Sequence, residues 1–348
     1  ENMALRVMEN GKYFLGGVLN DTSGGTTFWF LAHHAVFDGW SRSIFLGSLS
    51  DAYAGIPLTP EFGFLRAAHH SDRWLKSSDT EDSARFWKSI LHGAPNRSAP
   101  DKQQPAGGSG YTTRLLPPDK LTCAYELSTR CNVSVHTALL TAFYAVLAAS
   151  THQRDLVIGL PIANRHARSS QQSIGCFMTP LPVRLQPEDI TPVELAQHVH
   201  RSVTTAMTHA RYPLPRIVGD LRQHPSQNPL FQCVFNVFER SWSDFKLLGS
   251  SVPERPMRRL SPPNELCVYL RLSPQQSELT VQYEPTSYRE QFVASFCDRL
   301  VVAIEWLGKT DVRLSQLTAQ LQEMGAEQRR ATLTTRRPSR VEPQRRGS

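Results

Sequence analysis

The chain carries two adjacent histidines just ahead of an Asp-Gly pair, in the stretch His33-His34-Ala35-Val36-Phe37-Asp38-Gly39-Trp40-Ser41. A histidine titrates near neutral pH and can take a proton from a reacting group, while a carboxylate close by can fix the loop or balance its charge. Neighbouring residues on a strand point to opposite faces, so only one of His33 and His34 can enter a given cleft and the other is structural. A packed core residue is the commoner role of a single His. The position at a strand-to-helix junction, where α/β proteins place reacting side chains, favours the sharper reading. No Gly-x-Ser-x-Gly elbow occurs anywhere, so a hydrolase nucleophile is missing from the chain. The nucleophile must then come with the substrate, as an amine or hydroxyl attacking a carried acyl group. That chemistry is acyl transfer without a covalent enzyme intermediate.

The 348 residues are 40% hydrophobic and 20% charged, which excludes a disordered or collagen-like chain and suggests about two domains. The longest apolar runs, such as Phe28-Trp29-Phe30-Leu31-Ala32, fall far short of the roughly 18 residues that span a bilayer, and no secretory signal pattern opens the chain. A cytoplasmic site without a membrane partner is expected. Seven Arg and two Glu fall within residues 326–348, so most of the formal +7 sits in that tail and the remainder is close to neutral. A basic tail without aromatics reads as a disordered extension, and no nucleic-acid partner is expected. The six Cys form no Cys-x-x-Cys pair and lie mostly in apolar runs; buried reduced thiols and no metal are expected.

The elements that would hold the histidines alternate between strand and helix. Thr26 to His34 is a β-rich run, and Ser41 to Tyr53 has a helical apolar stripe ended by Gly55 and Pro57. Glu81 to His92 is a second helix. Residues 93–110 contain no strongly apolar side chain and read as a linker. Beyond it, Ser134 caps a helix to Ala149, followed by strands at Leu156 to Leu160 and Phe177 to Leu185. Thr191-Pro192-Val193-Glu194 is a capping box opening a helix to about His209. Strands follow at Phe231 to Phe238, Cys267 to Leu272 and Leu279 to Tyr283. A second capping box, Ser287 to Glu290, opens a helix with Phe292, Phe296, Leu300 and Ile304 spaced by four. The pattern predicts an α/β protein of two unequal lobes with mixed sheets: 1–92, the linker, 111–325, and the tail 326–348.

His33 to Gly39 resembles the His-His-x-x-x-Asp-Gly motif of condensation domains of nonribosomal peptide synthetases, and four later segments are similar to that family in the same order. Arg154 to Arg165 is similar to its strand and loop ending in Asn-Arg. Ile174 to Arg184 resembles its Ile-Gly-x-Phe segment, with Thr179-Pro180 in place of the usual Asn-Thr. Tyr212-Pro213 with Ile217-Val218, and Asn228 to Asn236, resemble two further stretches. The likeness covers about Leu5 to Leu317.

The resemblance implies two lobes of chloramphenicol-acetyltransferase type in a V-shaped pseudo-dimer, with a tunnel between them that phosphopantetheine arms of carrier proteins enter from both sides. It implies that His34 deprotonates or positions an acceptor amine as the amine attacks a donor thioester. Asp38 is implied to be chiefly structural and to pair with Arg165, while Gly39 leaves room for substrates. Trp40 and Ser41 follow the motif as in condensing members, and Asn236 and Arg184 are candidates for tunnel or supporting roles. No cofactor is expected on the chain itself; both substrates would arrive on carrier domains beside adenylation domains or other synthetase modules. The family's opening Ser-x-Ala-Gln-x-Arg-Leu-Trp segment has no counterpart before Leu5, so the first lobe is expected to be incomplete. A stand-alone O- or N-acyltransferase and an inactive recruitment module are the alternatives.

Overall fold

The computed structural model describes residues 13–20, 22, 24–59, 63–103, 109–165, 168–221, 230–238, 246–252 and 262–334. Before Gly93, strands β1 (Phe14–Asn20) and β2 (Thr26–Ala32) form an antiparallel hairpin, with Phe14 opposite Ala32 and Asn20 opposite Thr26. Gly16-Gly17 hides β1 from a search for alternating apolar residues. A Cβ at Gly17 would meet the Trp29 indole nitrogen at 2.8 Å, so the missing side chain lets the indole lie across the strand. Strand β2 ends two residues earlier than the sequence suggests. The His33 amide still donates to the Tyr13 carbonyl at 2.9 Å, but the Val36 amide then closes a turn onto the His33 carbonyl at 3.1 Å.

Three helices follow: α1 (Gly39–Tyr53), α2 (Gly63–Leu75) and α3 (Thr80–Leu91). Helix α1 begins at Gly39 rather than Ser41 because Asp38 is its N-cap, accepting from the Ser41 amide at 2.8 Å. The hairpin packs on α1 through aromatic rings: Phe30 stacks on Phe45 at 4.3 Å and lies 5.4 Å from Phe37.

After Gly110 the order is β3 (Tyr111–Leu116), a 3₁₀ turn, α4 (Thr122–Cys131), α5 (Val135–Thr151), β4 (Leu156–Ile162), α6 (Arg168–Gln171), β5 (Thr179–Leu185), α7 (Pro192–Thr208) and α8 (Leu214–Asp220). Then come β6 (Cys233–Phe238), the short pair β7 (Lys246–Leu247) and β8 (Ser250–Ser251), β9 (Leu266–Arg271), β10 (Ser277–Tyr283), α9 (Glu290–Trp306) and α10 (Leu314–Thr334). A six-stranded sheet runs β3-β10-β9-β6-β4-β5, parallel across β9-β6-β4 and antiparallel elsewhere. The fold is the mixed α/β type with mixed sheets that the sequence predicts.

Helix α5 is apolar on every side, and every residue from Thr137 to Ala149 is buried, so it forms the centre of the core. Helices α9 and α10 cover it. Ser134 caps it, accepting from the Thr137 amide at 3.1 Å, and Thr191 and Glu194 form the reciprocal capping box of α7. The second expected box is absent. Arg289 is the N-cap of α9 and makes no side-chain cap bond, because a guanidinium has no acceptor to offer the helix amides, and the Ser287 amide is committed to the Glu284 carbonyl at 2.9 Å in the preceding turn.

Two composition-based boundaries are corrected. The stretch from Gly93 to Gln103, read as a linker, is fastened to the sheet. The Ser98 amide donates to Gln232 Oε1 at 2.8 Å, its hydroxyl accepts from the Val157 amide at 2.8 Å, and Arg97 forms a bidentate pair with Glu265 at 2.9 and 2.8 Å. Polar residues make a strap as readily as a linker when every group finds a partner. Helix α10 runs to Thr334, nine residues into the expected tail, because its first turns lay Leu314, Leu317 and Leu321 into the core. The rest of the tail, 335–348, lies outside the described residues. All six cysteines are free thiols, and among the described residues no single helix is long and apolar enough to cross a membrane.

Candidate active site

His34 lies in the turn between β2 and α1, half-buried, and its Nδ1 is 2.8 Å from the Phe37 carbonyl oxygen. A carbonyl only accepts, so the Nδ1 hydrogen is spoken for and Nε2 of the neutral ring carries the free lone pair. His33 faces differently. Its Nδ1 accepts from the Ala35 amide at 3.1 Å, and its ring meets Tyr13 edge-on at 6.3 Å, so it braces the turn.

Asp38 is buried and holds five donors on two oxygens. Oδ1 accepts from the Ser41 amide, the Ser41 hydroxyl and Arg165 Nη2, each at 2.8 Å; Oδ2 accepts from the amides of Phe177 at 3.0 Å and Met178 at 3.3 Å. Burial alone would raise its carboxyl. The bonds from the Ser41 and Phe177 amides, the Ser41 hydroxyl and the Arg165 charge outweigh it and hold the group below the usual carboxylate range. No bond joins Asp38 to His34: the imidazole is oriented by backbone.

Arg165 completes the cluster from beyond the strap, 127 residues further along the chain than Asp38. Its Nη1 donates to the carbonyls of Ser170 and, at 2.7 Å, Ser173, while Nη2 also reaches Ser41 Oγ at 3.0 Å and the Gly175 carbonyl at 3.1 Å. The guanidinium lies 4.2 Å over the Phe177 ring and 5.9 Å from Trp40. Asn164, with φ of +50°, supplies the left-handed turn after β4 that aims Arg165 back toward α1. Ser41 Oγ sits at the crossing, 2.7 Å from the Gly175 carbonyl and accepting from the Gly175 amide at 2.9 Å. Trp40, half-exposed, donates its indole N–H to the Gln171 carbonyl at 2.9 Å. Gly39 is the exposed first residue of α1.

Two expected residues stand apart. Arg184 forms a bidentate pair with Asp155 at 2.8 and 2.6 Å and donates to the carbonyls of Ile90, His92 and Gly93, which fastens the end of α3 to the sheet. Arg184 thus acts as a clamp, a supporting role. Asn236 sits near the end of β6, whose parallel register sets Val234 beside Gly159, so Asn236 comes level with the end of β4 that leads to Arg165. Asn228 lies outside the described residues.

The carbonyls of Phe37 and Gly175 and the amides of Phe177 and Met178 carry much of the geometry. Backbone groups leave no residue-type signal, although the last three fall within the segment Ile174 to Arg184 singled out above. Burial and the Asp38 charge push the Cys176 thiol up. Among the described residues no group of His, Cys, Asp and Glu is arranged to hold a metal.

The chain resembles solved condensation domains in fold. It matches the condensation domain of the monacolin K polyketide synthase MokA with a TM-score of 0.76 at 20% identity, over 87% of this chain and 74% of that one. Among curated relatives, malpinin synthetase of Mortierella alpina is 30% identical over 235 residues, 63% of this chain and 3% of that synthetase. Phosphinothricin tripeptide synthetase PhsC of Streptomyces viridochromogenes is 30% identical over 239 residues, 64% and 22%. The chain therefore spans a small part of the synthetases it matches. The family model described as Condensation domain covers residues 7–324, and the chain belongs to that family.

Proposed function

We propose that the chain forms an amide bond between an acyl or peptidyl thioester and the amine of an aminoacyl thioester, both carried on the 4′-phosphopantetheine arms of carrier domains. The observation that carries this reading is the His34 ring: its Nδ1 hydrogen is committed to the Phe37 carbonyl and Nε2 is left as a proton acceptor. As the amine nitrogen attacks the thioester carbon, its proton passes to His34 Nε2. The new C–N bond forms, the C–S bond breaks, and the proton leaves on the thiol. Asp38, Arg165 and Ser41 hold the turn that presents His34, and Asn236 would donate its side-chain N–H to the developing oxyanion. The carriers, adenylation domains and other synthetase modules are partners in this reading, and no cofactor resides on the chain. An acyl-loaded carrier and an amino-acid-loaded carrier, mixed with the chain and read by mass spectrometry, should yield the extended species. Turnover with a soluble alcohol or amine in place of the second carrier would favour a stand-alone acyltransferase.

A further inference from the structure

Strand β10 alternates strictly: Leu279, Val281 and Tyr283 are buried on the side of the helices, while Glu278, Thr280 and Gln282 are half-buried and face the other way. Register carries that second face across the sheet. Thr280 stands opposite Tyr269 of β9, Tyr269 beside Asn236 of β6, and Pro161 of β4 opposite Pro180 of β5. Val234 is set beside Gly159, so Asn236, two residues on, comes level with Pro161. Pro180, Pro161, Asn236, Tyr269 and Thr280 therefore form one half-buried row, and Phe238 stacks on Tyr269 with ring centres 6.1 Å apart. The row ends beside the turn of His34, since the Phe177 and Met178 amides that bind Asp38 come immediately before Thr179, the first residue of β5. Away from that turn the same face is closed. A Cβ on Gly159 would fall 2.4 Å from the Phe231 ring, which thus lies across it, and the strap is bonded there to the Val157 amide and to Gln232.

We infer that this row receives the side chain of the acyl donor and selects an uncharged, apolar one, an inference that rests on the function proposed above. The donor's side chain branches from the carbon next to the thioester carbonyl. With the oxyanion of that carbonyl at Asn236, the side chain falls on the neighbours of Asn236 in the row, Pro161 and Tyr269. None of the row's side chains carries a charge. The next residues on the same face, Arg271 and Glu278, pair with each other at 3.2 Å, and Glu278 also accepts from the Thr280 hydroxyl at 2.9 Å. A charged side chain laid on the row would give up water without meeting an opposite charge. An apolar one buries its surface against proline rings and the stacked aromatic pair.

The test uses the full chain and two variants on different strands, Tyr269→Glu and Pro180→Glu, so that a failure of one to fold leaves the other. Binding of α-N-acetylated leucyl, lysyl and aspartyl pantetheine amides, which cannot react, is measured by titration. Transfer is measured from the matching thioesters on a holo-carrier to a glycine-loaded carrier. The wild type should prefer the leucyl donor over both charged donors by roughly tenfold or more in both measurements. Each folded variant should raise the lysyl-to-leucyl ratio by roughly tenfold or more, since the new carboxylate supplies the missing partner. Equal wild-type binding of the three amides overturns the inference. So does a wild-type preference for the lysyl donor, which would set a cation over the Tyr269 ring, and so does an unchanged ratio in the folded variants. A wild type that binds the leucyl amide preferentially yet transfers none of the three donors would refute the proposed function and leave the selection standing.

Discussion

Arg165 reaches Asp38 at 2.8 Å across 127 residues of chain, and both side chains are almost wholly shielded from water. Removing either partner strands the other as a buried charge, at a cost of roughly 3–5 kcal/mol. Asp38→Ala and Arg165→Ala should each lower the midpoint of urea unfolding strongly, and the double variant should lose much less than the two losses added together. Additive losses in that cycle would mean that the two groups act separately.

The same pair sets an acid limit. The Asp38 carboxyl is held below its ordinary value near 3.8, so its contribution is complete above that value and is lost as pH falls through the lower value of the folded state. In Asp38→Asn that segment of the acid-unfolding curve should flatten. A curve that superimposes on the wild type below pH 4 would show that other carboxylates govern acid unfolding.

If the proposed function holds, His34→Ala should reduce transfer by about 10²- to 10⁴-fold with little change in melting temperature, since in that reading Nε2 takes the amine proton and the half-buried ring has few packing duties. His33→Ala should instead lower thermal stability, because it removes the acceptor of the Ala35 amide and the ring contact with Tyr13. Reversed outcomes in the two variants would assign the base to His33.

A second pH effect belongs to His136, which burial pushes down to about 4 beside the Phe235 ring. The folded state prefers its neutral form. Its contribution is therefore complete above about 6.5 and falls away toward pH 4, by up to about 3 kcal/mol. Replacing it, as in His136→Phe, should remove that slope from a plot of unfolding free energy against pH. A slope unchanged in this variant would assign the effect to another group.

Gly175→Ala should damage activity and stability together. A Cβ there would stand 2.2 Å from the Phe64 ring, which has to move and take the start of α2 with it. The double variant Gly175→Ala/Phe64→Ala should recover part of the loss in melting temperature; no recovery would locate the strain elsewhere.

What was legible in the sequence follows from where the signal resides. Helices α5 and α7 announce themselves because Ser134 and Thr191 are caps whose partners lie three residues away, a local code. The strands of the six-stranded sheet are apolar runs and were found within one or two residues at most ends, except β3, whose exposed Thr113 and Arg114 lack that run. Helix α2 was hidden by its basic face, and β1 by Gly16-Gly17. The strap at 93–103 was misread because composition reports the absence of apolar side chains and says nothing of Glu265, Gln232 and Val157, which lie far along the chain. In the site, the His-His-x-x-x-Asp-Gly spacing marked His34 and Asp38. The carbonyl that orients His34 could not be read, since every residue has one.

The strap also changes what holds the turn of His34 in place. Arg97 on Glu265, Arg184 on the end of α3, Trp87 on the His209 carbonyl, Phe64 against Phe177 and Asp38 on Arg165 all join the residues before the strap to those beyond it. A joint made of many separate grips yields only when several let go together. The turn that carries His34 is therefore carried along with the six-stranded sheet, and its position is set by residues far away in the chain as firmly as by its own hairpin.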